Sequence, residues 1–183
     1  ATDAQWTRDA QALWRSSGTS LPNECDAPFA TLAARGGLGD ELRWARFDLA
    51  VAEQDVGVMR AIARGLSSGQ QALADDYAAY MTAPHARALQ WPKTARSRLV
   101  ASHGLAKFAK ADPLAAERQL PALADALGFG ETENGRVLYQ AALWTVASYL
   151  PDSARLLNRV PESAYDDRLH EWRVREALAR KDW

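Results

Sequence analysis

Helix-breaking residues recur at short intervals along this chain of 183 residues. The segments between them carry apolar residues at helical spacing, as Leu120, Leu123 and Leu127 do. No segment alternates apolar and polar residues for long enough to predict a strand. We therefore predict an all-α fold of antiparallel helical hairpins. The breakers are Gly18, Pro22, Pro84, Pro92, Pro113, Pro151, Pro161 and the glycine-containing residues 36–39, 67–69 and 128–130.

These signals predict roughly nine to eleven helices. Asp112 followed by Pro113 marks one start, because a side-chain cap and a proline at the first helical position both favour helix initiation. The length of the chain bounds it to one or two domains. The predicted helices span about 3–17, 24–35, 40–54, 55–65, 70–82, 85–91, 93–111, 113–127, 131–149, 152–158 and 162–181.

Two helices resemble each other. Residues 46–55 and 173–182 share the pattern Arg-apolar-x-x-Ala-apolar-Ala-x-x-Asp, and residues 109–112 repeat its Ala-x-x-Asp ending. Weak internal similarity of this kind is typical of helical-hairpin solenoids, although the tetratricopeptide consensus is not satisfied. The predicted architecture is therefore an irregular α-superhelix, or solenoid.

Composition excludes several classes of function. A net charge of −1 gives no electrostatic reason to bind nucleic acid or an anionic membrane surface. The longest apolar run, residues 137–150, is shorter than the roughly 20 residues that span a bilayer, so no transmembrane segment is predicted. One cysteine excludes an internal disulfide framework and a cysteine-based zinc site.

The most specific segment spans residues 10–29. It contains Leu-Trp-x-x-x-Gly-x-Ser-x-Pro-Asn-x-Cys-Asp-x-x-Phe, beginning at Leu13 and ending at Phe29. Gly18 is predicted to close one helix, and Pro22, Asn23 and Asp26 to form a turn and cap the next. This pattern resembles a segment in the α-superhelical part of the soluble lytic transglycosylases, which cleave bacterial peptidoglycan.

The resemblance has consequences for function and location. It implies that residues 1–183 are a single superhelical domain segment of a larger chain, and that this domain is periplasmic and non-catalytic. Its partners would be the linker and catalytic domains of the parent chain, with glycan strands as a further partner. The parent enzyme would cleave the glycosidic bond and leave a 1,6-anhydromuramoyl end. The alternative is a tetratricopeptide-like module that binds proteins. Downstream Glu-Ser and Gly-Leu-Met-Gln motifs, typical of the catalytic domain, would distinguish the two.

No catalytic, cofactor-binding or metal-binding residue is predicted. Glu162-Ser163 matches the catalytic Glu-Ser pair but lacks the partner motifs, so Glu162 is interpreted as a first-turn carboxylate. His85, His103 and His170 lack metal-ligand spacing and are interpreted as surface or packing residues. Cys25 has no neighbouring base and is expected to be a buried packing residue.

Seven tryptophans are many for this length. Exposed indoles can stack on sugar rings, but large side chains also fill gaps between alanine-rich helices. Trp14, Trp44, Trp144 and Trp172 occupy positions compatible with a core. Trp91 precedes a proline in a connection and is the best candidate for an exposed ring.

Overall fold

The computed structural model describes residues 2–181, and the chain divides into two compact units, Ala1–Thr82 and Ala83–Trp183. The described residues form α-helices and short 3-10 helices and contain no strand. This confirms the all-α prediction. No helix in this part of the chain has both the length and the apolar character needed to cross a membrane.

Five helices build the first unit. α1 packs against α2 and α3, and α3 and α5 both pack against α4. A 3-10 turn at Asn23–Cys25 leads directly into α2. Gln54 ends α3 with a φ of 58°, and the Asp55 side chain then accepts a 2.9 Å hydrogen bond from Val58 N to begin α4. The helices are α1 (Asp3–Trp14), α2 (Asp26–Ala34), α3 (Asp40–Glu53), α4 (Val56–Ala63) and α5 (Ser68–Thr82).

The second unit is centred on α8, which packs against α6, α7, α9 and α10. Most of the long apolar run, residues 137–150, lies in this helix, and most of its side chains there are buried. Asp112 caps α7 through a 2.9 Å bond from Ala115 N, which confirms the predicted start at Pro113. The helices are α6 (Ala95–Ala109), α7 (Pro113–Leu127), α8 (Glu131–Ala147), α9 (Ser153–Arg159) and α10 (Asp167–Ala179), with 3-10 helices at Ala86–Gln90 and Glu162–Ala164.

Three predicted helices differ from the structure. The helix predicted over 162–181 is divided, because a 3-10 turn ends at Ala164 and Asp166 caps a separate helix. The helix predicted over 85–91 is a 3-10 helix. The first helix ends at Trp14, before Gly18, so Gly18 does not serve as its cap.

Candidate functional site

The residues of the 13–29 pattern surround one buried cation, Arg46 of α3. Arg46 is only 6% exposed, and its guanidinium carbon lies 4.6 Å from the Trp14 ring centroid and 5.6 Å from that of Phe29. Its Nε and Nη2 atoms each donate a 3.2 Å hydrogen bond to a loop carbonyl, those of Ser17 and Thr19. Burial lowers the pKa of Arg46. We call this group the Arg46 cage.

Gly18 allows the loop of the Arg46 cage to lie against α3. A Cβ atom at Gly18 would lie 2.3 Å from both the carbonyl carbon and oxygen of Leu49. Glycine is therefore required here for a close backbone approach rather than for helix termination. A cleft of about 350 Å³ adjoins the cage and is lined by several of the same residues, including Trp14, Asn23 and Asp26.

Cys25 is half-buried at the start of α2, so the expectation of full burial is wrong. Asp26 occupies the first turn of α2 but the residue before it, Cys25, makes no side-chain capping bond. The predicted capping role of this turn is also wrong. The chain instead enters α2 through the 3-10 turn, in which Cys25 N donates a 2.9 Å hydrogen bond to the Pro22 carbonyl.

Among the described residues, one carboxylate is buried. Glu117 of α7 is 8% exposed and accepts hydrogen bonds from Arg155 Nη1 and Nη2 at 2.6 and 2.9 Å, and another from Arg159. Hydrogen bonding to Arg155 lowers the pKa of Glu117 and outweighs its burial. A general acid needs a raised pKa, so Glu117 is suited to holding α7 against α9 and not to proton donation.

Glu162 lies in a 3-10 turn with its side chain 80% exposed, 3.5 Å from Arg173. At this exposure the carboxylate is open to solvent and is not enclosed. His170 is exposed and lies beside Tyr165, with ring centroids 4.9 Å apart, whereas His85 packs near Trp91. Within residues 2–181, no group of three His, Cys, Asp or Glu side chains could hold a metal ion.

Burial and the neighbouring Arg136 guanidinium lower the pKa of His103 to about 4. The folded protein therefore keeps His103 neutral at pH values where the unfolded chain is protonated. Because the unfolded state then binds more protons, the unfolding free energy falls as the pH drops from about 6.5 to about 4. After allowance for solvent screening, we expect His103 to contribute a loss of about 1–2 kcal/mol over this window.

Urea unfolding at about pH 7 and about pH 4.5 tests this expectation. His103→Gln should lose less stability between the two pH values than the wild-type protein does. His170→Gln is the matched control and should behave like wild type, because this histidine is exposed. Equal pH slopes in all three proteins would contradict the assignment.

The structure reverses the interpretation of two tryptophans. Trp91 is buried, with 7% exposure, whereas Trp144 is 38% exposed and has the highest exposure of the tryptophans in residues 2–181. The predicted core positions of Trp14 and Trp44 are confirmed, Trp172 is half-buried, and Trp183 lies outside the described residues.

Trp144 belongs to the outer face of α8. Arg136, Gln140 and Trp144 follow one another at four-residue spacing, so neighbouring side chains of the row are close. Trp144 Nε1 donates a 3.1 Å hydrogen bond to Gln140 Oε1, and Arg136 Nη1 donates a 2.5 Å bond to Ser102 Oγ. We call this row the α8 stripe. Beside it lies a cleft of about 370 Å³, lined by Arg136, Tyr139 and Gln140 among others.

A second surface is apolar. Val174 and Leu178, one turn apart on α10, are both exposed, and so is Tyr149 after α8. A cleft of about 240 Å³ lies between Tyr149, Trp172 and Ala179. We call Val174 and Leu178 the α10 ridge.

Comparison with known proteins gives a fold-level relationship. No family profile matches the sequence, and no curated protein matches it. Solved structures do match it. Among them are a 70-kDa soluble lytic transglycosylase in complex with bulgecin A (TM-score 0.78, 24% identity), an inactive mutant of the lytic transglycosylase Slt from Pseudomonas aeruginosa (0.70, 24%) and the 70-kDa soluble lytic transglycosylase from Escherichia coli (0.67, 21%).

The matches cover 98% to 100% of this chain. The chain spans only 30% to 35% of the length of those proteins. The fold of this chain is thus that of one helical part of soluble lytic transglycosylases. The predicted fold-level resemblance to this family is confirmed.

Proposed function

We propose that this chain is a non-catalytic scaffold segment of a periplasmic peptidoglycan lytic transglycosylase. The observation that carries the proposal is the fold similarity to three such enzymes over essentially the whole chain, at about a third of their length. In this role, the segment would hold the linker and catalytic domains of a parent enzyme. That enzyme would cleave the glycosidic bond and leave a 1,6-anhydromuramoyl product.

The chemistry of the carboxylates supports a scaffold role. Glycosidic bond cleavage by general acid catalysis needs a carboxyl group with a raised pKa. In the described part of the chain, the buried carboxylate is held in its charged form by two arginines, and Glu162 is open to solvent. Neither carboxyl group is placed to protonate a leaving group.

We expect no release of anhydromuropeptides above background when this chain is incubated with purified sacculi. Chromatography and mass spectrometry of the soluble fraction measure the released anhydromuropeptides. A Glu162→Gln variant is the matched control and should give the same background. Release of anhydro products that Glu162→Gln abolishes would overturn the non-catalytic assignment.

The alternative, a tetratricopeptide-like protein-binding module, is favoured by one observation, the exposed α10 ridge. A module of that kind would dock a partner helix on such an apolar surface. The gene decides between the two. Glu-Ser and Gly-Leu-Met-Gln motifs encoded downstream of Trp183 support the scaffold segment, and a stop codon directly after Trp183 supports the module.

A further inference from the structure

We propose that the α8 stripe, Arg136, Gln140 and Trp144, is a binding site for a glycan that carries carboxylate groups. This inference rests on the proposed function and names a ligand and a surface for the scaffold. The three residues offer an aromatic face, an amide and a guanidinium in a row on one helix. That combination matches a sugar chain in which a ring with apolar C–H faces is followed by an acidic substituent.

Trp144 supplies the stacking face. Its exposure contrasts with the burial of Trp14, Trp44 and Trp91, so gap filling between helices does not explain its position. The π face of an indole is electron-rich and attracts the polarised C–H bonds on the flat side of a sugar ring. The hydrogen bond from Trp144 Nε1 to Gln140 Oε1 orients the indole before any ligand arrives. The amide nitrogen of Gln140 is then directed toward other acceptors, such as sugar hydroxyl groups.

Arg136 supplies the positive charge. In residues 2–181, no carboxylate lies within salt-bridge distance of this guanidinium, whose hydrogen-bond partner is the hydroxyl of Ser102. Burial lowers the pKa of Arg136, and the charge of the Glu133 carboxylate partly offsets this effect. Glu133 nevertheless forms no ion pair with Arg136, and its Oε2 atom accepts a 2.8 Å bond from Gly130 N at the start of α8. A half-buried guanidinium without a direct ion pair gains more from an incoming carboxylate than one that is already paired, since charge-assisted pairs are the stronger hydrogen bonds.

The size and position of the stripe also fit an extended ligand. Arg136 and Trp144 are two helical steps of four residues apart, which corresponds to about 12 Å along the axis. This distance exceeds a single sugar ring, and the cleft beside Arg136 and Gln140, which Glu131 also lines, widens the contact at the charged end. We therefore assign the aromatic end to one sugar unit and the charged end to the acidic substituent of another.

Two matched probes test the proposal. One is a peptide-free tetrasaccharide of alternating N-acetylglucosamine and N-acetylmuramic acid, which carries lactyl carboxylates. The other is the neutral tetramer of N-acetylglucosamine. Titrations followed by nitrogen–proton correlation spectra resolve the indole N–H signals, and the Trp144 signal is the one absent from Trp144→Phe.

We expect the acidic tetrasaccharide to shift the Trp144 indole signal and to bind Trp144→Ala at least tenfold more weakly than wild type. Trp172→Ala, which removes a half-buried tryptophan elsewhere, is the matched control and should bind normally. Trp144→Phe keeps an aromatic face and should retain most of the affinity, which separates stacking from misfolding. Arg136→Gln should weaken binding of the acidic probe several-fold more than binding of the neutral one.

Absence of binding by the folded wild-type protein would overturn the proposal, as would equal affinities of wild type and Trp144→Ala. A loss in Arg136→Gln that is equal for both probes would overturn the assignment of the acidic end. Binding of a peptide on the α8 stripe, with no binding of either sugar, would overturn the assignment of a glycan as the ligand. None of these outcomes depends on the downstream gene sequence, so failure of the stripe and failure of the scaffold assignment are distinguishable.

Discussion

Replacing Arg46 with alanine should lower the unfolding free energy by about 3 kcal/mol, because several buried interactions are lost together. The Ser17 and Thr19 carbonyls lose their charged donor, and the rings of Trp14 and Phe29 lose the guanidinium that packs on them. The removed side chain also leaves a void beside the aromatic pair. Urea unfolding followed by circular dichroism measures the change.

Arg60→Ala is the matched control for the Arg46 variant. Arg60 is exposed on α4 and makes one side-chain hydrogen bond, of 3.3 Å to Thr82 Oγ1, so its removal should change stability by less than about 0.5 kcal/mol. Arg46→Lys should recover little of the loss, because an ammonium group cannot reproduce the flat stacking and the paired donors of a guanidinium. An Arg46→Ala protein as stable as Arg60→Ala would contradict the structural role of the Arg46 cage.

Helices were the most predictable part of this fold because their signals are local. Asp112 and Pro113 specify a helix start through a side-chain cap and a fixed φ, and both act within one turn of the chain. The boundary at Asp166 is not predicted, because at this position two local signals disagree. Its capping bond to Leu169 N competes with a helical pattern that continues on both sides, and local periodicity does not reveal which of the two prevails.

Long-range contacts explain the predictions that the structure contradicts. The local sequence predicts Gly18 as a helix terminator, but glycine is needed there because of the backbone of Leu49, a contact across 31 positions (49 − 18). The position of Trp91 before a proline makes it the best candidate for an exposed ring, yet it is buried. Trp144 lies in an apolar run but faces outward, because the other faces of α8 are occupied by its helical neighbours.

The role of Arg46 was not predictable from its own surroundings, since a charged residue on a helix usually faces solvent. The internal similarity between residues 46–55 and 173–182 gives one indication that these arginines have equivalent surroundings. Arg173, which matches Arg46 in that pattern, lies with its guanidinium carbon 5.5 Å from the Tyr165 ring centroid. Both helices thus pair an arginine with an aromatic residue of the preceding segment. Asp182, the last residue of the second copy, lies outside the described residues.

Replacing Gly18 with alanine should destabilise the protein by about 2–3 kcal/mol, because the new methyl group would collide with backbone that cannot rotate away. The closest atoms belong to Leu49 and to Ala50 N, at 2.3 to 2.5 Å, so the loop or α3 has to move. Any such movement also displaces the Ser17 and Thr19 carbonyls from Arg46. Thermal or urea unfolding of the variant gives the size of the loss.

Gly69→Ala is the matched control, since no atom lies within 4 Å of a Cβ placed there and the residue lies in the first turn of α5. This substitution should raise stability by up to about 1 kcal/mol, because alanine favours the helix more than glycine does. The combination of Gly18→Ala with Arg46→Ala should cost less than the sum of the single losses, since both act on the same loop. Full stability of Gly18→Ala, or strict additivity with Arg46→Ala, would show that the loop and the buried guanidinium do not form one unit.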